Sequence, residues 1–427
     1  MSENNDDTGH ETAGLMNYLP PEILENILIY LPAKDLLRCR AVSPIWRDVI
    51  DHICKNQQVW HAACKNDFQN VYTIARNKSK RGVQWYNLYR SLNLWRQLPD
   101  ASEVRDEFAS ATRSAQEIRN FEILKDGILG VLKKGSIVYY DIETLAVSHH
   151  EPIIGDYSKY TENDNVIILL SYNLHLFIIR KLMREDGNVT FDNVKLFVVV
   201  GHDLYFVNVN DEIFVCDLRI KELTASFLSK SDDGVMSIGF SDGHLNILTF
   251  QRRIFTVVKE DLVLKYALTS ESNVLHQLNY YNFLEQLDWR IYFQWMYLMN
   301  HPIPDGPLRD IVIIRPYGDV FFVGSNWGVL RIYYAPYEDG EIDLFCRDPI
   351  KQFNFMERSD CPVLSMCPIL QVDVMEGNDA HTVIVAMPKK LVVLEFTHNF
   401  ETEPCIFEEI PPDSPDTSSP DITFVSN

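Results

Sequence analysis

Few residues in this 427-residue chain are arranged to do bond chemistry. His149 and His150 are adjacent, and neighbours on an extended strand point to opposite faces, so they are expected to be solvated rather than to share one metal. The eight cysteines (39, 54, 64, 216, 346, 361, 367 and 405) form no C-x-x-C pair and no Cys/His cluster at zinc spacing. That scatter predicts free, mostly buried thiols in a reducing compartment, with Cys361 and Cys367 the one pair close in sequence. No Gly-rich phosphate loop, G-x-S-x-G elbow, H-E-x-x-H helix or kinase signature occurs. The chain reads as a non-enzyme without metal or cofactor. Ser414 and Ser419 each precede proline in a polar tail over 408–427, expected to be disordered and a substrate for proline-directed kinases.

Charge divides the chain by task. Residues 1–15 carry four acids and no base, residues 16–98 carry twelve bases against six acids, and residues 99–427 carry a net −23 of the total −21. So acidic a body repels polyanions, which argues against nucleic acid as a partner and favours basic target segments whose binding weakens with salt. The longest apolar runs, such as Val166 to Leu170, are far shorter than the roughly 20 residues of a membrane span, so no membrane role is expected. The acidic leader over 1–15 lacks a signal-peptide pattern, from which a cytoplasmic or nuclear location is expected.

The elements that carry these residues change period near residue 100. From Leu19 to Ile53 the pattern is helical. Pro20-Pro21-Glu22 suits a first turn, and Ile23, Leu24, Ile27, Leu28 and Leu31 recur at the helical period. Pro32 ends that helix, Asp35 is expected to cap a second, and Ser43-Pro44 to cap a third that presents Trp46, Val49, Ile50 and Ile53. Three short helices bury too little surface to fold alone, so so much apolar area points to docking, either on the rest of the chain or on a partner.

These residues resemble an F-box: Leu19-Pro20-x-Glu22-Ile23-Leu24, Leu31-Pro32, Asp35-Leu36-Leu37-Arg38, Val42 and Trp46-Arg47, followed by Trp60. The resemblance implies binding to the Skp adaptor, and through it cullin, in a Skp–cullin–F-box ubiquitin ligase. Leu19, Pro20, Ile23, Ile27, Leu31, Leu36, Val42 and Trp46 occupy the matching apolar positions. Ser43 stands where relatives often have cysteine. A connector over 61–98 follows, with a basic run at 76–81 that reads as a solvated loop or an import signal, and a helix from Trp85 to Trp95.

Beyond residue 99, strand pairs flank tight turns. Ile128 to Leu132 with Ser136 to Tyr140 turn at Gly135, Val166 to Leu170 with His175 to Ile179 at Asn173, and Leu204 to Val207 with Ile213 to Cys216 at Asp211. Val235 to Phe240 with Leu245 to Phe250 turn at Gly243, Val320 to Val323 with Leu330 to Tyr334 at Gly328, and Val383 to Ala386 with Leu391 to Phe396 at Lys389-Lys390. The long interval between Gly243 and Gly328 suggests one further hairpin, and residues 99–407 divide into seven units of about 44 residues, the length of a propeller blade. The expected fold is therefore a three-helix F-box (16–60), a helical connector and a seven-bladed β-propeller resembling degenerate WD repeats, with six or eight blades or two β-sandwiches as alternatives. Ile291 to Met296 reads as a buried strand within a dense aromatic segment, 280–297.

The implied function is that of a substrate receptor, which holds a target on the propeller while the F-box holds the ligase; a scaffold without a degradation target is the rival. For the target side, Trp289 and Trp295 are hot-spot residue types. Relatives read phosphorylated targets with arginines, a role here open to Arg252, Arg253, Arg290, Arg315 and Arg331.

Overall fold

The computed structural model describes residues 19–108, 117–181, 188–269, 273–299, 310–336, 344, 347–355 and 367–398, the side chain of Asp126 excepted. The acidic leader, Cys346, Cys361, Cys405, Ser414 and Ser419 lie outside these residues.

The head begins with α1 (Pro21–Leu28), α2 (Ala33–Cys39) and α3 (Pro44–Cys54). Ser43 caps α3 as expected, its hydroxyl accepting from the Trp46 N–H at 3.2 Å, and Pro44 fills the first turn where a missing donor costs nothing. The expected cap at Asp35 is corrected: α2 starts two residues earlier behind Pro32, and Asp35 lies in its first turn, 3.2 Å from Arg38. Helices α4 (Gln57–Asp67), α5 (Tyr72–Asn77) and α6 (Trp85–Leu94) follow. Trp60 of α4 sits between Tyr86 and Tyr89 of α6, with ring centroids 4.9 and 5.2 Å away, and its N–H donates to the Cys54 carbonyl at 3.0 Å. Leu24, Leu28, Leu36 and Ile50 close the same core. The three-helix unit thus gains the second layer that it could not supply itself.

The body is a β-propeller of six four-stranded antiparallel sheets among the described residues. Five are built in chain order: β2 (Ile118–Ile123), β3 (Ile128–Lys133), β4 (Ser136–Asp141) and β5 (Ile153–Ile154); β6 (Tyr157–Glu162), β7 (Val166–Ser171), β8 (Leu176–Arg180) and β9 (Val189–Phe191); β10 (Val194–Val200), β11 (Asp203–Asn208), β12 (Glu212–Asp217) and β13 (Ser226–Lys230); β14 (Val235–Ser241), β15 (His244–Thr249), β16 (Arg253–Val258) and β17 (Asp261–Ala267); and β18 (Ile311–Tyr317), β19 (Val320–Ser325), β20 (Val329–Tyr334) and β21 (Lys351–Asn354). The sixth joins β22 (Gln371–Glu376), β23 (Ala380–Met387) and β24 (Lys390–Thr397) to β1 (Ser102–Phe108), so the first strand pairs with the last and ties the two ends of the body together. Side chains bond neighbouring first strands: Gln371 to the Phe121 backbone, Asn120 to the Tyr160 carbonyl at 3.2 Å and Lys159 to the Phe197 carbonyl at 3.1 Å.

All six expected hairpins are present. The seventh is not. Between β17 and β18 the described chain forms α7 (Val274–Tyr280) and α8 (Trp289–Leu298), packed in one core with Leu248 and Ile254 of the fourth sheet and Ile311, Ile314 and Phe321 of the fifth. Ile291 to Met296 is therefore helix, not strand. Asp288 caps it by accepting from the Arg290 N–H at 2.9 Å, and Trp289, Tyr292 and Trp295 recur at helical spacing on the buried side.

Candidate functional site

The head's apolar stripe is really two faces. Leu24 and Leu28 turn inward, while Ile23 and Ile27 point out, Ile27 with 43% of its surface exposed. Val42 and Pro20 are also exposed, and Leu19, Leu31 and Trp46 are half-buried. Leu36 is corrected: at 1% exposure it belongs to the core, because α2 needs one large side chain to seat it against α3. Ile29, Ile45 and above all Tyr30, 88% exposed, lie in the same segment and escaped the sequence reading. A tyrosine just past a helix end gives little periodic signal. Water-facing Ile, Val and Tyr in so short a segment make an apolar surface that the other described residues leave uncovered.

The connector fixes this head to the body through a buried carboxylate. Glu376, at the end of β22, accepts from the Trp95 indole N–H at 2.9 Å, the Ser91 hydroxyl at 2.6 Å and the Tyr317 hydroxyl at 2.9 Å, and its Oε2 lies 2.7 Å from Nδ1 of His381. Trp95 also stacks on His381 with centroids 4.0 Å apart. Burial alone would raise the Glu376 carboxyl, but the facing His381 and the bonds from His381, Ser91 and Trp95 outweigh it and hold the group below the ordinary range. The basic run at 76–81 serves the same joint. Lys78 pairs with buried Asp373, Lys80 with Glu395 at 3.1 Å, and Arg76 bonds the Val83 carbonyl beside the Trp85 ring. Leu88, Leu92, Trp95 and Leu98 share one core with Tyr317, Phe322, Val383 and Phe396, so apolar packing is continuous across residue 98.

The F-box domain family matches residues 16–58. This segment is an F-box domain. No curated protein matches the chain in sequence. Solved structures similar to the body include the N-terminal domain of Nup159 (12% identity, 70% of this chain and 96% of that one, TM-score 0.39). The β-propeller domain of Myceliophteria thermophila Cps50 (Swd1) covers 69% of this chain and 100% of its own at 9% identity and TM-score 0.35. YCF48 bound to D1 peptide is 9% identical, with 70% and 97% covered and TM-score 0.40.

On the propeller behind the F-box, the expected arginine patch is not assembled. Arg315 is buried between Glu285 and Asp373, Arg253 lies 2.5 Å from Asp233, and Arg290 lies 3.0 Å from Asp288. Arg331 is buried with its Nε on Gln352 at 3.0 Å, and Arg252 stands in the β15–β16 turn at a φ of 62°. Three of the five charges are thus met by carboxylates of the chain itself. Trp289 and Trp295 are likewise corrected: both are buried in the core of the helical insert rather than presented to a ligand.

Among the described residues no group of three or more His, Cys, Asp or Glu side chains is gathered for a metal, and no helix is long and apolar enough to cross a membrane. His149 and His150 are exposed, as expected. Burial pushes the Cys54 and Cys64 thiols up to about 12, which keeps them protonated and unreactive.

Proposed function

We propose that this chain is a substrate receptor of a Skp–cullin–F-box ubiquitin ligase, with the exposed F-box face on the Skp adaptor and the propeller on a target protein. The observation that carries this reading is the exposure of the apolar side chains Pro20, Ile23, Ile27 and Val42 on a head held firmly to its body. A receptor works by proximity. A rigid joint keeps the distance between ligase and target fixed, so a target lysine meets the charged ubiquitin carrier at high effective concentration. The buried bonds at Glu376 and Asp373 supply that rigidity, and no residue of the chain takes part in bond making.

Capture from cells with the cullin blocked tests this with full-length protein, since removing residues before 99 would strip Trp95 and Leu98 from the propeller core. An Ile27→Asp chain should lose the adaptor and cullin and retain other partners. A retained partner that accumulates when the cullin is blocked is a target; if no partner changes in abundance, the scaffold reading replaces this one.

A further inference from the structure

The sixth sheet carries a cleft that the F-box reading does not use. A cavity of about 210 Å³ opens beside the connector, lined by Lys80, Val104, Asp106, Glu143, Thr382 and Glu395, among others. Its floor is one face of the closing sheet: Val104 pairs across β1 and β24 with Glu395, and Glu395 pairs across β24 and β23 with Thr382. The wall opposite is the turn after β4, from Ile142 to Leu145. Three carboxylates face one ammonium here. Lys80 is engaged by Glu395 at 3.1 Å, whereas Asp106 and Glu143 are exposed and have no ion-pair partner among the described residues. Thr382, only 3% exposed, lines the floor with its Oγ1 lacking any hydrogen-bond partner. A buried hydroxyl without a partner is costly unless a ligand supplies one.

We propose that this cleft receives a single arginine or lysine side chain from an extended segment of a target protein. The cation's head meets Asp106, Glu143 and the Thr382 hydroxyl, and its methylene stem lies on Val104, which is 57% exposed, and Leu145. The net charge of −23 over residues 99–427 draws such a segment in. The proposal gives the target-receptor reading a substrate class, but its test needs neither the adaptor nor a ligase.

Fluorescence polarisation with the full chain and a labelled nine-residue Gly/Ser peptide carrying one central arginine supplies the test. Saturable binding in the micromolar to low-millimolar range is expected, at least about tenfold weaker for the same peptide with central glutamate. The Asp106→Asn, Glu143→Gln double variant should weaken the arginine peptide by a similar factor. Val104→Arg, at an exposed position, should fill the cleft with the chain's own guanidinium and abolish binding without lowering the melting temperature. Equal binding of both peptides, no saturable binding up to about 5 mM, or undiminished binding by the folded variants overturns the proposal. Adaptor capture would stand unaffected by that failure.

Discussion

The indole N–H of Trp95 lies 2.9 Å from Oε1 of Glu376, and that bond ties the turn closing the connector to the first strand of the sheet that closes the propeller. The same carboxylate takes bonds from Ser91 on α6 and from Tyr317 on β18. One buried charge therefore holds three elements from distant parts of the chain, and its loss should be felt at all of them.

Glu376→Gln keeps the volume but replaces a charged four-way acceptor with an amide that has one oxygen. The expected cost is on the order of 2–4 kcal/mol, because buried donors lose a charged partner and are left unpaired. Urea unfolding measures it. Limited proteolysis should also show faster cleavage between α5 and β1 under native conditions; an unchanged midpoint and digestion pattern would mean that packing alone holds the joint.

Acid should loosen the same region before the rest. Burial, with the nearby His381 charge adding to it, lowers His398 to about 4 from an ordinary value near 6.5, against smaller opposing effects of Glu376 and Asp100. Between those values the unfolded chain binds a proton that the folded chain refuses, so stability falls as pH drops from about 6.5 to about 4. The contribution is on the order of 2 kcal/mol. His398→Phe should flatten the dependence of the urea midpoint over that range, and an unaltered slope would show that another group carries it.

How far the sequence spoke depended on what each side chain packs against. Short runs rich in Val, Ile, Phe and Tyr on either side of tight turns at Gly135, Asn173, Asp211, Gly243, Gly328 and Lys389-Lys390 gave all six hairpins, since strand propensity and turn chemistry are both local properties. Ile291 to Met296 misled because Ile291 and the aromatic rings of Tyr292, Phe293 and Trp295 favour strands, and only the Asp288 cap and the three-residue recurrence of buried rings from Trp289 mark it as helix. The basic run from Arg76 to Arg81 looked like a solvated loop because its partners, Asp373 and Glu395, are some 300 residues away in sequence. Acids inside otherwise apolar strands, Asp373 and Glu376 in Gln371–Glu376, were the sign that something basic or polar must reach them.

The helical insert depends on one residue without a side chain. A Cβ on Gly239 of β14 would stand 2.2 Å from the Tyr281 carbonyl oxygen and 2.8 Å from that of Asn282, and backbone cannot swing aside as a flexible side chain can. Gly239→Ala should push the α7–α8 segment off the fourth sheet, at a cost on the order of 1–3 kcal/mol, and Gly239→Val should cost more. Near-ultraviolet circular dichroism is the sensitive measure, because Trp289, Tyr292 and Trp295 lie in that insert. A spectrum and melting temperature equal to those of the natural chain would show that the insert does not seat on Gly239.

Exposure separates two kinds of F-box residue that share one sequence pattern. Ile27 faces water and Leu36 is sealed in the head core, although both match the family's apolar positions. Ile27→Asp places a solvated carboxylate on the surface, so stability should move by no more than about 0.5 kcal/mol while adaptor co-purification is lost. Leu36→Ala should cost about 2–5 kcal/mol through the cavity it leaves, and should weaken the adaptor only as the head unfolds. Thermal melts paired with co-purification at 10 °C and 37 °C distinguish them: the first variant fails to bind at both temperatures, the second recovers binding in the cold. If Ile27→Asp keeps the adaptor while Leu36→Ala loses it when fully folded, the contact face is not the one that α1 presents.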